Sequence, residues 1–275
     1  MPFTPSHAVV ALPFVRTRLV LAAIAVGAMT PDLPLFLRGM WPDYSMTHDP
    51  AWVVVTSALA LVLFLLWRCV LRPAVRELSP RAVAERLPSR WDAGWREGLR
   101  ESLGGGAVAL IWLIVSLAFG VLTHIAWDLF THEGRLGVEL MPALEDQWGP
   151  LPGVKWLQYG SSAFGLIVLA VYGLVWVTRR GAGPVRRVLS DVVRLIWWLS
   201  LPVALIVGGA IAVSVSASLG EAMTPTALVY GVLTRIAAAW AIVSVLLAVT
   251  VQVVRRAYIR VFPGSSLRDT PGLRR

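Results

Sequence analysis

Histidine and aspartate residues suited to metal binding recur at a few points of a chain that is otherwise mostly apolar. The clearest motif runs from Thr123 to His132, where His124 and Asp128 are four residues apart and would share one helix face. An imidazole and a carboxylate on one face can bind a divalent cation, with zinc as the first candidate and manganese or iron as alternatives. Taken alone, the motif also allows a purely structural role, a buried His–Asp hydrogen bond between helices.

Further candidate ligands lie near the N-terminus. Asp32 stands between two prolines at the end of an apolar run, which predicts a rigid turn with a carboxylate at its tip. Alone, Asp32 is also typical of an ordinary turn residue, and His48 of a surface histidine at headgroup level. Ionisable groups in or beside membrane segments mark functional sites by default. The candidate metal ligands are His7, Asp32, His48, His124, Asp128 and His132.

Composition assigns the class of protein. The 275 residues are 57% hydrophobic with a mean hydropathy of +0.69, which excludes an ordinary soluble domain and predicts an integral membrane protein. The formal charge of +9 comes from arginines in short connectors and the C-terminal tail, where they suit anionic lipid headgroups. We therefore expect no nucleic-acid partner. The single cysteine, Cys69, excludes an intramolecular disulfide.

Apolar segments predict an all-α, polytopic transmembrane bundle with five full crossings. They cover residues 51–70, 107–130, 157–178, 193–217 and 226–254. Arginine-rich connectors alternate with acidic ones along the chain, so the positive-inside rule predicts a multi-pass cell-membrane protein with a cytoplasmic C-terminus. The ends of the crossings that carry the candidate ligands then lie near the outer leaflet.

Residues 7–30 allow two arrangements. A sixth crossing would leave His7 and Asp32 a bilayer apart. Alternatively, Pro13 and the Arg16 to Arg18 stretch interrupt the apolar run and make a helical hairpin that returns His7 to the level of Asp32. We favour the hairpin, since it uses the proline and both arginines as a turn.

The predicted organisation has three parts. Residues 1–180 form a membrane domain with the metal site, and within it the connector 71–105 is amphipathic, with Trp91, Trp95, Leu99 and Leu103 on one helical stripe. That stripe suits a helix on the cytoplasmic leaflet or packing on the bundle. Residues 181–254 form two further transmembrane helices. Residues 255–275 form a basic, disordered cytoplasmic tail.

Polar residues at the start of one crossing and inside another are candidates for substrate binding. The first group is Gln158, Tyr159, Ser161 and Ser162, for which helix capping and close helix packing are the alternative roles. The second is Arg235, which would neutralise a phosphate if it faces the site, or otherwise extend to the headgroups.

Several of these segments together resemble an uncharacterised bacterial family of multi-pass membrane proteins, catalogued as a domain of unknown function. They are residues 1–7 (MPFTPSH), 29–34 (MTPDLP), the Thr47-His48 pair, the pattern from His124 to His132, and 157–162 (LQYGSS). The resemblance covers most of residues 1–180. More distantly, the chain is similar to the predicted membrane-bound metal-dependent hydrolases, whose pattern is an N-terminal His, a Pro-Asp pair, a Thr-His pair and a later His-x-x-x-Asp.

The resemblance implies a metal site and a hydrolytic activity. It assigns the cation to His7, Asp32, His48, His124 and Asp128, with His132 as an extra ligand or a partner of one. In the relatives a small hydroxyl residue usually follows the Thr-His pair, whereas Asp49 follows it here as a substitute ligand or hydrogen-bond partner.

We expect a metal-dependent hydrolase that acts on a membrane-embedded or lipid-linked substrate, with Asp32 or Asp128 as the catalytic base. The alternatives are a transporter or proton relay that uses the same residues, and a non-catalytic scaffold. The expected partners are membrane lipids, and the sequence specifies no oligomeric state.

Overall fold

The computed structural model describes residues 4–37, 39, 41–185 and 187–261, and these are almost entirely helical. In chain order the α-helices are α1 (Leu21–Met29), α2 (Leu33–Phe36), α3 (Tyr44–Thr47), α4 (Val53–Leu66), α5 (Arg72–Leu78), α6 (Arg81–Ala84), α7 (Trp95–Leu103), α8 (Gly106–Thr131), α9 (Leu136–Leu140), α10 (Gly153–Thr178), α11 (Asp191–Ser218) and α12 (Thr234–Val261). Two short strands, β1 (Gln147–Trp148) and β2 (Leu151–Pro152), form an antiparallel pair.

Helices of other types connect these elements. The 3-10 helices are Thr4–Phe14, Thr30–Asp32, Pro50–Trp52, Ser89–Asp92 and Pro142–Leu144, and the π-helical segments are Trp67–Leu71 and Ala227–Leu233.

Across the described residues, five helical stretches are long and apolar enough to cross a membrane. They are Pro50–Leu78, Gly106–Thr131, Gly153–Thr178, Asp191–Ser218 and Ala227–Tyr258. Each contains most of one predicted crossing, so the prediction of an all-helical, multi-pass membrane protein is confirmed.

The chain divides into two compact units that are discontinuous in sequence. The first unit comprises Met1–Leu66 and Arg100–Trp176, and the second comprises Trp67–Leu99 and Val177–Arg275. All the candidate histidines and aspartates lie in the first unit. The arginine-rich connector belongs largely to the second unit, together with the last two membrane helices.

The first unit begins with a helical hairpin. The 3-10 helix Thr4–Phe14 is followed by a turn that contains Arg16 and Arg18, and α1 then runs back along it. This is the hairpin alternative, and it returns His7 to the level of the 3-10 turn Thr30–Asp32. A single uninterrupted crossing would have left these residues a bilayer apart.

The core of the first unit forms where α1, α4 and α8 pack together. Its buried apolar side chains are Ala23, Ala60, Phe64, Leu113, Leu117, Val121 and Ile125. Small residues allow α1 and α8 to approach closely, as is common in membrane bundles. A separate small cluster of Val138, Leu144 and Val154 closes the end of the unit where α8 terminates.

The second unit is built around a buried carboxylate. Glu77 of α5 accepts hydrogen bonds from Arg194 at 3.0 Å and Arg255 at 3.1 Å, and from the backbone N–H groups of Val188 and Leu189. The Glu77 side chain is fully buried, so these donors compensate its desolvation. The network connects α5 to α11 and α12.

The connector 71–105 is not one amphipathic helix. Trp91 lies in the 3-10 helix Ser89–Asp92 and packs edge-on against Trp67, and the chain turns before α7 begins at Trp95. Only Trp95, Leu99 and Leu103 keep the predicted stripe, and all three are exposed. Residues 255–261, at the start of the predicted tail, continue α12, and residues 262–275 lie outside the described part of the chain.

Candidate metal centre

Short elements and one long helix of the first unit bring five of the candidate ligands together. His7 lies on the first 3-10 helix, Asp32 ends the 3-10 turn after α1, His48 follows α3, and His124 and Asp128 lie one turn apart on α8. All five side chains are buried. They form two overlapping groups, His7–Asp32–His124 and His48–His124–Asp128, in each of which the potential ligand atoms lie within 4.8 Å of one another.

Backbone carbonyl groups fix which nitrogen of each central imidazole carries a proton. The Nδ1 of His124 lies 2.7 Å from the carbonyl oxygen of Ala28, and the Nδ1 of His48 lies 2.9 Å from that of Tyr44. A carbonyl oxygen only accepts hydrogen bonds, so both Nδ1 atoms must donate. In the neutral rings, both Nε2 atoms therefore carry lone pairs.

These two lone pairs face each other. The Nε2 atoms of His48 and His124 are 3.2 Å apart. Asp32 Oδ1 lies 3.7 Å from both nitrogens, and Asp128 Oδ2 lies 3.5 Å from both. Each of these two carboxylate oxygens thus faces both nitrogens in a buried environment, an arrangement that is repulsive unless a positive charge lies among them.

The remaining oxygen of each carboxylate is held by a threonine. Thr4 donates a hydrogen bond of 2.6 Å to Asp32 Oδ2, and Thr131 lies 3.5 Å from Asp128 Oδ1. The other two oxygens, Asp32 Oδ1 and Asp128 Oδ2, are buried and have no hydrogen-bond partner among the described residues. Each carboxylate is therefore oriented so that its free oxygen points toward the two imidazoles.

The distances fit a single small cation. Two ligand atoms that each lie about 2.0–2.2 Å from a shared tetrahedral ion are about 3.3–3.6 Å apart. The observed separations of 3.2, 3.5 and 3.7 Å between donor atoms are close to this range. The Nδ1 of His124 is already engaged, so its one remaining nitrogen can bind only one ion, and the two overlapping groups cannot each hold an ion of their own.

His7 borders this arrangement. Its ring stacks on that of His124 with 4.0 Å between centroids, and its Nε2 is buried with no hydrogen-bond partner in the part of the chain that the structure describes. Burial, reinforced by the neighbouring His124, lowers the pKa of His7 to about 4. The ring is therefore neutral near pH 7 and has a lone pair to offer.

Two glycines determine how closely α1 and α8 approach. A Cβ on Gly27 would lie 2.3 Å from the carbonyl oxygen of Leu117, and one on Gly120 would lie 2.3 Å from that of Ile24. Both distances are shorter than any side chain tolerates. This contact brings the carbonyl group of Ala28 within reach of His124, one helical turn beyond Gly120.

The family comparison covers nearly the whole chain. Residues 1–254 match the model of a family described as Domain of unknown function (DUF4184). The chain belongs to this family. The expected membership of an unknown-function family is thereby confirmed. No curated protein and no solved structure matches the chain. The distant similarity to metal-dependent hydrolases stays a prediction.

His132 lies beside the centre of this DUF4184 protein without joining either group of ligand atoms. Its Nδ1 is 3.3 Å from the carbonyl oxygen of Asp128 and 3.5 Å from the Oδ2 of that residue. Burial lowers its pKa, and its Nε2 has no hydrogen-bond partner among the described residues. The position favours support of Asp128, and direct coordination stays a prediction. Asp49 is exposed and accepts from the N–H of Ala51, so it serves as a helix cap.

The predicted substrate-binding residues occupy different environments. Gln158 is buried, and its Nε2 has no hydrogen-bond partner within the described chain. Ser161 and Ser162 both donate to the carbonyl group of Gln158, whereas Tyr159 is exposed. Arg235 is exposed on α12, which belongs to the second unit.

Sequence reasoning missed the groups that orient the ligands. Thr4 holds Asp32, and the carbonyl groups of Ala28 and Tyr44 orient the two central histidines. Thr4 was within reach of prediction, because it belongs to the opening motif that carries the family resemblance. The roles of the two carbonyl groups could not be predicted from the sequence, since every residue has a backbone carbonyl group.

Proposed function

We propose that this protein is a metal-dependent hydrolase of the membrane, with one divalent cation held by His48, His124, Asp32 and Asp128. One observation carries the proposal. The Nε2 lone pairs of His48 and His124 face each other at 3.2 Å, with both Nδ1 atoms committed to carbonyl groups. A single shared proton would satisfy at most two of the four surrounding acceptor atoms, whereas a cation satisfies all of them.

Charge balance supports a divalent ion. Asp32 and Asp128 place two negative charges in a buried site, and an imidazole that binds a cation through Nε2 does so in its neutral form. Isolated buried charges cost several kcal/mol each, so the site needs about two compensating positive charges. Imidazole nitrogen and carboxylate oxygen suit Zn²⁺ first, with Mn²⁺ or Fe²⁺ as alternatives.

Hydrolysis is the chemistry that such a site serves best. A divalent cation lowers the pKa of a water molecule toward neutrality and so supplies a nucleophile that adds to a carbonyl or phosphoryl centre. The water needs an open position on the cation, so either Asp32 or Asp128 would leave the cation and accept the proton, and His7 offers a third buried acceptor beside them. Gln158 has an unpaired amide N–H group that would bind a substrate oxygen. Water adds across an ester or amide bond, which breaks to give an acid and an alcohol or amine.

We further propose that the centre lies near the outer leaflet and that the C-terminus is cytoplasmic. Arginines concentrate in the connectors 71–105 and 179–194, whereas 131–156, which follows the His124–Asp128 end of α8, carries four acidic and two basic residues. In a Cys69→Ser background, Glu133→Cys should react with an impermeant maleimide on intact cells. Arg179→Cys should react only after permeabilisation, and the opposite pattern would invert the topology.

Metal analysis tests the site. We expect purified wild-type protein to retain about one equivalent of Zn²⁺ after dialysis, and His124→Ala and Asp32→Asn to retain much less. Asp43→Asn is the matched control, because Asp43 is an exposed helix cap that asparagine replaces well. Thermal melting of each variant checks that it remains folded. Equal metal content in folded wild type and variants would end the proposal.

Activity is tested separately. Detergent-solubilised protein is incubated with chromogenic carboxylic and phosphate esters, with Zn²⁺ or with a chelator. We expect turnover that requires metal and is lost in His124→Ala but kept in Asp43→Asn. Metal binding without any hydrolysis, together with metal-coupled uptake into proteoliposomes, would instead assign a transporter.

A further inference from the structure

An apolar pocket opens beside the candidate metal centre. It encloses about 560 Å³ between the first 3-10 helix, α8 and α10, within the size range of about 300–1,000 Å³ that ligand pockets usually have. Val9, Val10, Ala126, Trp127, Phe130 and Phe164 make most of its wall. The residues that line it include no Asp, Glu, Lys or Arg.

The outer wall of the pocket belongs to helices that cross the membrane. Trp127 lies on α8 and Phe164 on α10, and their side chains are 38% and 67% exposed. In a bilayer, such exposed apolar side chains face lipid and not water. A molecule that enters from this side therefore comes from the hydrocarbon phase, and a polar molecule has no route through it.

His7 connects the pocket to the metal ligands. It lines the pocket, and its ring stacks on that of His124 on the other side. Ser6, Thr123 and Ser161 add hydroxyl groups to the lining, so the pocket combines an apolar wall with a few polar groups. This is the polarity of a lipid, in which a hydrocarbon chain ends in a polar linkage.

We propose that the pocket binds the hydrocarbon chain of a membrane lipid and thereby presents the polar linkage of that lipid to the centre at His7. The assignment of this lipid as the substrate rests on the proposed hydrolase function. Binding of the hydrocarbon chain does not rest on that function, because it depends only on the apolar wall of the pocket and the exposure of that wall to the bilayer. The pocket would make long-chain lipids the preferred substrate class over esters and phosphates without a hydrocarbon chain.

Photolabelling tests the pocket without metal or turnover. The protein is reconstituted in phosphatidylglycerol nanodiscs with a small fraction of phosphatidylcholine that carries a diazirine in one acyl chain. After irradiation, adducts are located by peptide mass spectrometry. We expect adducts to be enriched at Phe130 and Phe164 over Ile111 and Ile167, which are on α8 and α10, are exposed by 57% and 61%, and do not line the pocket.

Substitutions that fill the pocket with a larger side chain provide the decisive comparison with the wild-type labelling pattern. Ala126→Trp should abolish the enrichment, and the smaller Ala126→Leu should reduce it, because Ala126 is an exposed pocket residue. Ile111→Trp places the same bulk on α8 outside the pocket and should change nothing. Uniform labelling, or enrichment that persists in folded Ala126→Trp, would overturn the inference.

The two proposals fail separately. Enriched labelling in a protein that retains no metal would refute the metal centre and leave chain binding intact. A metal-loaded protein that is labelled uniformly would refute chain binding alone. Labelling of His124→Ala gives the same separation within one experiment, since we expect it to lose metal and keep the adducts.

Discussion

Replacement of Gly120 by alanine should damage the candidate metal centre through the backbone, without touching a ligand. The added Cβ would lie 2.3 Å from the carbonyl oxygen of Ile24 and 2.8 Å from the backbone nitrogen of Ala28. Comfortable contacts to carbon are about 3.5 Å, so α1 must move away from α8 by about 1 Å. The 2.7 Å hydrogen bond from His124 to the carbonyl group of Ala28 would then stretch beyond hydrogen-bond range.

The magnitude follows from a matched pair of substitutions. Overpacking of this kind costs about 1–3 kcal/mol, and alanine regains up to about 1 kcal/mol over glycine within a helix. Gly160→Ala on α10 gains the same helix propensity but meets no atom within 4 Å. The two variants should therefore differ by about 1–3 kcal/mol in free energy of unfolding. Loss of an orienting hydrogen bond should also weaken metal binding by about 10- to 100-fold in Gly120→Ala only.

Two assays measure these effects. Equilibrium unfolding in mixed micelles gives the stability difference, and competition with a zinc-sensitive fluorescent chelator gives the affinity. If Gly120→Ala has the same free energy of unfolding and the same zinc affinity as Gly160→Ala, then the close contact between α1 and α8 is not what orients His124. A loss of stability with unchanged affinity would show that the contact matters for packing alone.

Three further substitutions test individual contacts. Thr4→Val removes the hydroxyl donor to Asp32 at nearly constant shape, and we expect metal affinity measured by chelator competition to fall about 10- to 100-fold. His132→Gln should keep its metal content in elemental analysis, because His132 joins neither group of ligand atoms. Glu77→Gln leaves two arginines without their buried carboxylate and should lower the free energy of unfolding by about 3–5 kcal/mol in a denaturant titration.

Two of these variants have a control of the same chemistry. Thr250→Val removes an exposed hydroxyl that donates only to the preceding helical turn, and should leave metal affinity unchanged. Glu85→Gln breaks an exposed pair with Arg81 and should cost less than about 1 kcal/mol. If Thr4→Val binds metal with wild-type affinity, Thr4 does not support Asp32 as a ligand. If His132→Gln loses metal, His132 is itself a ligand. A Glu77→Gln protein as stable as its control would contradict the buried network.

The membrane helices and the hairpin were predictable because their physical signals are local. A crossing needs a long apolar run, and each of the five runs is visible in the sequence. The turn of the hairpin was indicated by Pro13 and by Arg16 and Arg18, which break the apolar run. Once the hairpin is in place, His7 and Asp32 must lie at one level, so topology supported the candidate ligands that the family resemblance implied.

The details that orient the ligands were not predictable from residue types. Sequence spacing predicts that His124 and Asp128 share a helix face. It does not predict which nitrogen of His124 is free, because that depends on the carbonyl group of Ala28, 96 residues away. The role of Gly120 depends on a partner helix at backbone contact. Trp91, Trp95, Leu99 and Leu103 were predicted to share one helical stripe in the connector, yet Trp91 lies in the separate 3-10 helix Ser89–Asp92.

The surroundings of the cluster bear on the alternative of a proton or ion relay. A relay through the bilayer needs polar groups that continue from one side of the site to the other. On α8, the buried side chains of the turns before His124 are apolar, including Leu117 and Val121, and they pack in the core with Phe64 of α4. Ser116 is the polar exception there, and its hydroxyl group is engaged with Val20 and Trp112. Along α8 the polar cluster is therefore followed by hydrocarbon, and it is bordered by the lateral pocket at His7, an arrangement that favours chemistry on a membrane-borne molecule over passage along this helix.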